Sequence, residues 1–125
     1  MGRGIVILGH GSRARVWEAN QLLLQIVEKF KQKTGEQNVK PAYMNVKSGG
    51  PTLEQAIEEL IREGFTEIVV APWFLTDGLH IREDIPEIID SIKEKYPEVQ
   101  IALAKPLGAD NRLVDILIER IGEVS

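Results

Sequence analysis

The sequence predicts an α/β fold: a four-stranded parallel sheet, strand order 2-1-3-4, with helices on both faces. Two observations carry this. Strand-like apolar runs alternate with helix-periodic segments in the order βαβαβαβα, and right-handed crossovers turn such an alternation into a parallel sheet covered by helices. The second strand holds Pro41, which has no N–H for a ladder and therefore belongs at a sheet edge. With that strand at the edge, the order reverses between strands 1 and 3, and the crevice outside their carboxyl ends is where open sheets of this kind bind ligands.

Each element has its own signal. Gly4–Leu8 is a short apolar run, typical of a strand buried on both faces. Val16, Ala19, Leu23, Ile26, Val27 and Phe30 recur at helical spacing, and Gly35 lies just past the helix end. Val39–Val46 reads as the second strand. Thr52 and Gln55 form a capping box that opens a helix with Leu53, Ala56, Ile57, Leu60 and Ile61 inward, closed by Gly64. Glu67–Ala71 is the third strand. A long connection, PWFLTDGLHIRED, runs to Asp84, which with Glu87 is expected to cap the next helix, lined by Ile85, Ile88, Ile89 and Ile92. Val99–Ala104 is the fourth strand, and Asp110 is expected to cap a last helix whose inner face holds Leu113, Leu117 and Ile121.

The totals narrow the function. With 125 residues, 43% apolar and 27% charged, residues 1–125 are expected to form one globular domain. A net charge of −4 gives no field that would draw the molecule to nucleic acid or an anionic membrane. There is no cysteine, which removes disulfides and thiolate metal sites and is compatible with a reducing compartment. The apolar part of MGRGIVIL is too short for a signal peptide or a membrane span, so a soluble, cytoplasmic protein is expected.

The chain has two histidines, and both fall at the predicted switch point: His10 after strand 1, His80 after strand 3. A single histidine is more often structural. Two at one crevice point to chemistry, because neutral imidazole binds cobalt, nickel, iron and zinc and accepts a proton near neutral pH. Two ligands are too few for a closed structural zinc site and suit a loosely held metal; a second subunit can add ligands. Gly9 and Gly11 are expected to leave room beside the imidazole for a ring and a metal.

Gly9-His10-Gly11-Ser12-Arg13-Ala14 also fits the dinucleotide pattern G-x-G-x-x-A. That pattern needs an acid after strand 2 to hold a ribose, and the chain has Asn45, Val46 and Lys47 there. Neither a Walker lysine nor a G-x-S-x-G elbow is present. Ser12 is a helix cap or a substrate contact. Arg13, in a first helical turn where the dipole disfavours cations, is a solvated arginine or half of an anion cradle. Lys47 can pair with an anion, and Gly49-Gly50 marks a flexible or closely approached loop. Asp77 reads first as a turn residue, and Gly78 as a place where a backbone approaches a ligand. Glu83 is a solvated residue ahead of a helix or an orienting partner for an imidazole.

Gly-His-Gly-Ser at Gly9–Ser12, with P-x-F-L-x-x-G-x-H-x-x-E-D-I-P at Pro72–Pro86, resembles the small class II tetrapyrrole chelatases: sirohydrochlorin cobaltochelatases and their ferro- and nickel-chelatase relatives. The element order is similar over essentially the whole chain, and the length resembles the short form, which pairs as a homodimer. The resemblance implies insertion of a divalent metal, Co2+ foremost and Ni2+ or Fe2+ as alternatives, into sirohydrochlorin with loss of two pyrrole protons, on the route to cobalamin and without an organic cofactor. It implies that His10 is metal ligand and proton acceptor, that His80 is the second ligand, and that Leu75, Thr76, Asp77, Gly78 and Leu79 line the macrocycle site. Ser12, Arg13 and Lys47 would face the ring's carboxylates. The chain departs from the family where many relatives carry a glutamate after strand 2: here the sequence is Tyr43-Met44-Asn45, so no third metal-binding carboxylate is assigned. A metal or tetrapyrrole carrier without catalysis would use the same residues.

Overall fold

A computed structural model describes residues 2–11, 17–76 and 78–125, with residues 17–19 and 79–80 described in their backbone only. Eight elements alternate: β1 (Gly4–Gly9), α1 (Trp17–Thr34), β2 (Val39–Tyr43), α2 (Leu53–Arg62), β3 (Glu67–Pro72), α3 (Leu79–Lys95), β4 (Gln100–Leu103) and α4 (Asn111–Gly122). The strands form one sheet, every pairing is parallel, and the order is β2-β1-β3-β4. Pro41 therefore sits on an edge strand, opposite Ile7, where its missing N–H breaks no ladder.

All six residues of β1 are buried, which is why that strand has no polar alternation. The two sheet faces are packed unequally. On one, Val6, Leu8, Ala42, Ile68, Val70 and Ile101 meet α2 and α3 through Leu53, Ile57, Leu60, Ile85, Ile89 and Ile92. On the other, Ile5, Ile7, Val39 and Tyr43 meet Leu23 and Val27 of α1. Each small core removes roughly 1.5–3 kcal/mol worth of water contact per large aliphatic side chain.

Local chemistry sets most element ends. The Thr52–Gln55 capping box forms in both directions, with Gln55 N donating to Thr52 Oγ1 at 3.2 Å and Thr52 N donating to Gln55 Oε1 at 2.9 Å. Gly35 follows α1 at φ +79°, its N–H donating to the Lys31 carbonyl, the left-handed stop that glycine allows. Asp110 accepts from Arg112 N at 2.9 Å and caps α4.

Three expectations need correction. The second strand ends at Tyr43, because Asn45 accepts from Lys47 N at 3.0 Å and starts a 3-10 turn over Val46–Ser48. The third helix starts at Leu79 rather than after Asp84, with Gly78 as an N-cap that has no side-chain hydrogen bond. Asp84 and Glu83 are thus helical residues, and Pro86 lies inside the helix; a proline that usually marks a first turn is here carried by packing of Ile85, Ile89 and Ile92. Finally, no residue of α4 is buried, so Leu113, Leu117 and Ile121 form no inner face. Among the described residues no helix is long and apolar enough to cross a membrane.

Candidate functional site

Parallel strands bring their carboxyl ends to one rim. His10 follows β1 there, and the backbone of His80 lies in the first turn of α3, after β3. Three backbone hydrogen bonds draw the neighbouring segments in. Trp73 N donates to the Leu8 carbonyl at 2.7 Å, Met44 N to that of Gly9 at 3.0 Å, and Asn45 N to that of His10 at 2.8 Å. The loops after β2 and β3 are therefore fastened on either side of His10, and the 3-10 turn bearing Lys47 follows at once.

His10 is exposed, and its imidazole stacks on the ring of Phe74, centroids 4.0 Å apart and planes 28° apart. Phe74 is 2% exposed, so one face of the imidazole rests on a fixed apolar support while the ring stays open to solvent. The support is held in turn: Leu107 N donates to the Phe74 carbonyl at 2.9 Å and Gly108 N to that of Leu75 at 3.0 Å. The sequence shows Phe74 as one apolar residue among several in its loop; only the tertiary structure singles it out.

The glycines act differently from expectation. A Cβ at Gly9 would lie 3.1 Å from Leu23 Cδ2, and one at Gly11, which has φ +81°, would lie 2.9 Å from Tyr43 Cβ and 3.1 Å from Ser48 Cβ. The direction a Cβ would take is filled by protein at both, so close packing requires glycine there, while both backbones also border the cleft beside His10. Gly50 is likewise pressed on the Tyr43 ring, while Gly78 has φ −66° and nothing within 4 Å of its would-be Cβ. Tyr43 and the buried Ser48 emerge as scaffold that the sequence does not single out: Tyr43 Oη donates to the Asn20 carbonyl of α1 at 3.1 Å, and Ser48 Oγ accepts from Gly50 N at 3.1 Å. Burial raises the Tyr43 phenol above its ordinary pKa.

A cleft of about 170 Å³ lies against His10, lined by residues that include Gly9, Asn20, Leu23, Tyr43 and Trp73. Sites that enclose a drug-sized ligand span about 300–1,000 Å³, so this cleft is too small to enclose one, and the rim above it is open. Leu75, 65% exposed, and the exposed Thr76 and Gly78 stand on that rim. Lys47 is exposed in its turn, and Glu83 is exposed on α3. Ser12, Arg13 and Asp77 lie outside the described residues, as do the side chains of Leu79 and His80. Among the described residues, no three carboxylate, imidazole or thiol groups converge on one point.

Residues 4–124 match the CbiX family. The chain belongs to the CbiX family. Its similarity to a chloroplastic sirohydrochlorin ferrochelatase of Arabidopsis thaliana is 36% identity over 118 residues, 94% of this chain and 51% of that protein. A sirohydrochlorin cobaltochelatase of Methanosarcina acetivorans is 35% identical over 128 residues, 96% of this chain and 95% of that protein. Among solved structures, the sirohydrochlorin chelatase SirB of Bacillus subtilis subspecies spizizenii in complex with cobalt superposes with TM-score 0.87 at 30% identity, covering 99% of this chain and 51% of SirB. SirB from Bacillus subtilis with Fe3+ gives TM-score 0.86 at 30% identity, over 100% of this chain and 48% of SirB. The chain thus spans about half the length of its ferrochelatase relatives and nearly all of its archaeal cobaltochelatase relative. The family resemblance read from Gly9–Ser12 and Pro72–Pro86, and the 2-1-3-4 sheet, are both borne out.

Proposed function

We propose that this chain is a sirohydrochlorin chelatase that inserts Co2+ into the macrocycle and releases two pyrrole protons, a step towards cobalamin. The observation that carries the reading is the open imidazole of His10, fixed on Phe74 at the ligand-binding rim of the sheet, in a family whose relatives are named for this chemistry.

In this reading His10 and His80 hold the incoming metal. When a ring nitrogen takes the metal from an imidazole nitrogen, that imidazole regains a lone pair and can accept a pyrrole proton. Metal and protons are exchanged at the same atoms, and charge stays balanced. The macrocycle lies flat on the open rim over His10, against Leu75, Thr76, Asp77, Gly78 and Leu79. Its carboxylates are met by Lys47, Arg13 and Ser12, and Glu83 orients an imidazole. The working form is a cytoplasmic homodimer, in which a second copy covers surface that one chain leaves open.

Fe2+ insertion is the second reading, favoured by the ferrochelatase names among the relatives. Anaerobic incubation with sirohydrochlorin and Co2+, Fe2+ or Ni2+ in competition separates the two by the visible spectrum of the product. His10→Ala is expected to lose most of the rate. Wild-type protein no faster than the metal and macrocycle alone would overturn the chelatase reading, and stoichiometric binding without turnover would make the chain a carrier.

A further inference from the structure

The loop that carries Phe74 is held from behind by the connection between β4 and α4. Leu107 N donates to the Phe74 carbonyl and Gly108 N to that of Leu75. That connection ends at Asp110, and the first turn of α4 follows, so Arg112 starts from the same rim of the sheet as His10. Between the two segments lies a hollow of about 440 Å³, lined by residues that include Trp73, Asp110 and Arg112. Trp73 also walls the smaller cleft beside His10. The two hollows thus share a side chain.

Among the described residues that line the larger hollow, Arg112 alone is cationic, and it is held in place. Its Nε donates to Asp110 Oδ1 and its Nη2 to Asp110 Oδ2, both at 2.8 Å. That contact uses one edge of the guanidinium fork and leaves the other, on Nη1 and the outer side of Nη2, to be filled. The side chain is 88% exposed, so this second edge is open. Asp110 is not spent on the guanidinium alone. Its Oδ1 also accepts from Arg112 N, at a helix start where the dipole favours an anion. An exposed pair of this kind adds little stability; what it supplies is a donor edge fixed in direction.

The sheet order sets where that edge stands. Lys47 follows β2 and Arg112 follows β4, so in the order β2-β1-β3-β4 the two cations flank His10 from opposite sides. Three strand spacings of about 4.8 Å make roughly 14 Å from one side to the other, a span comparable to a tetrapyrrole with its acid arms.

We propose that Arg112 binds a peripheral carboxylate of the macrocycle in the hollow that shares Trp73 with the His10 cleft, and so sets how the ring lies over the imidazole. The proposal rests on the sirohydrochlorin reading above and adds a contact to it. Sirohydrochlorin carries acetate and propionate arms around its edge. A ring lying over His10 with one side at Lys47 therefore extends acid arms past Trp73 to the guanidinium. The open edge receives such an arm in two parallel N–H···O bonds, which a lysine cannot reproduce. The contact is the same for the free and the metallated ring, so it is uniform binding: it lowers KM and leaves kcat alone.

The test titrates metal-free sirohydrochlorin anaerobically into the full chain, follows its visible absorption, and times Co2+ insertion on the same samples. Arg112→Gln is expected to raise Kd and KM about tenfold, the weight of one charge-assisted contact at an open site, with kcat unchanged. Residue 112 keeps its backbone N–H in that variant, so the Asp110 cap survives and Tm should hold. Arg112→Lys should recover part of the affinity, and added salt should weaken the wild type more than Arg112→Gln. Wild-type affinity in Arg112→Gln, where the wild type itself binds and metallates sirohydrochlorin, would overturn the contact and leave the chelatase reading standing. A fall in kcat at unchanged KM, or a lowered Tm that accounts for the loss, would make Arg112 a structural residue and overturn the contact as well. A wild-type protein that neither binds nor metallates the macrocycle would remove the chelatase reading, and this contact with it.

Discussion

Gly11→Ala asks what the glycines around His10 are for. Gly11 holds φ +81°, where an alanine costs about 1–2 kcal/mol. The added methyl would sit 2.9 Å from Tyr43 Cβ and 3.1 Å from Ser48 Cβ. Neither neighbour can swing away. Both contacts are Cβ atoms tied to the backbone, and Tyr43 is held further by its hydrogen bond to Asn20. Overpacking of this kind adds about 1–3 kcal/mol, so the expected loss is about 2–5 kcal/mol, a fall of roughly 10–20 °C in Tm for a domain of this size. Gly78→Ala is the control: with φ −66° and no atom near the new methyl, stability should stay level or rise by up to about 1 kcal/mol. Thermal unfolding by circular dichroism, with Co2+ binding measured on the same samples, reads both. Were Gly11 present to make room for a ligand, Gly11→Ala would melt like the wild type and lose metal binding. That result would refute the packing account.

Two further expectations concern the same rim. Phe74→Leu keeps the site apolar but removes the stack under His10; it should lower the chelation rate several-fold and add little to His10→Ala in the double variant, since the two residues act as one unit. An unchanged rate in Phe74→Leu would show that the stack does not position the imidazole. Tyr43→Phe should lose about 1 kcal/mol at neutral pH through the missing hydrogen bond. Because burial raises the phenol above its ordinary value of 10.0, folded Tyr43 holds its proton more tightly than the unfolded chain does. Its contribution is therefore whole below about pH 10 and fades as pH climbs through the raised value. Urea unfolding at pH 8 to 11 should show a shallower alkaline loss in Tyr43→Phe than in the wild type, and equal slopes would contradict the assignment.

Much of the molecule was legible in its residues because local rules sufficed. Periodicity, Pro41 and the Thr52–Gln55 box determined a parallel sheet of order 2-1-3-4, and the topology of that sheet put both histidine positions at one rim. Where local signals compete, tertiary packing and local caps decide. Asp84 and Glu87 imitate a capping box, but α3 already starts at Leu79, and Ile81 packs against the same core as Ile85 and Ile89. Asn45 caps a turn where strand propensity alone would continue β2.

What the sequence by itself determined is the set of elements, their order and the chemistry available at the rim, since each follows from spacing along the chain. Tertiary structure alone decided which residues support that chemistry. Phe74 lies 64 positions from His10 in the chain yet carries its imidazole, and Gly9 and Gly11 prove to accommodate Leu23, Tyr43 and Ser48. The bareness of α4 was equally out of reach, because an amphipathic pattern states that a helix has an apolar face and not which surface receives it.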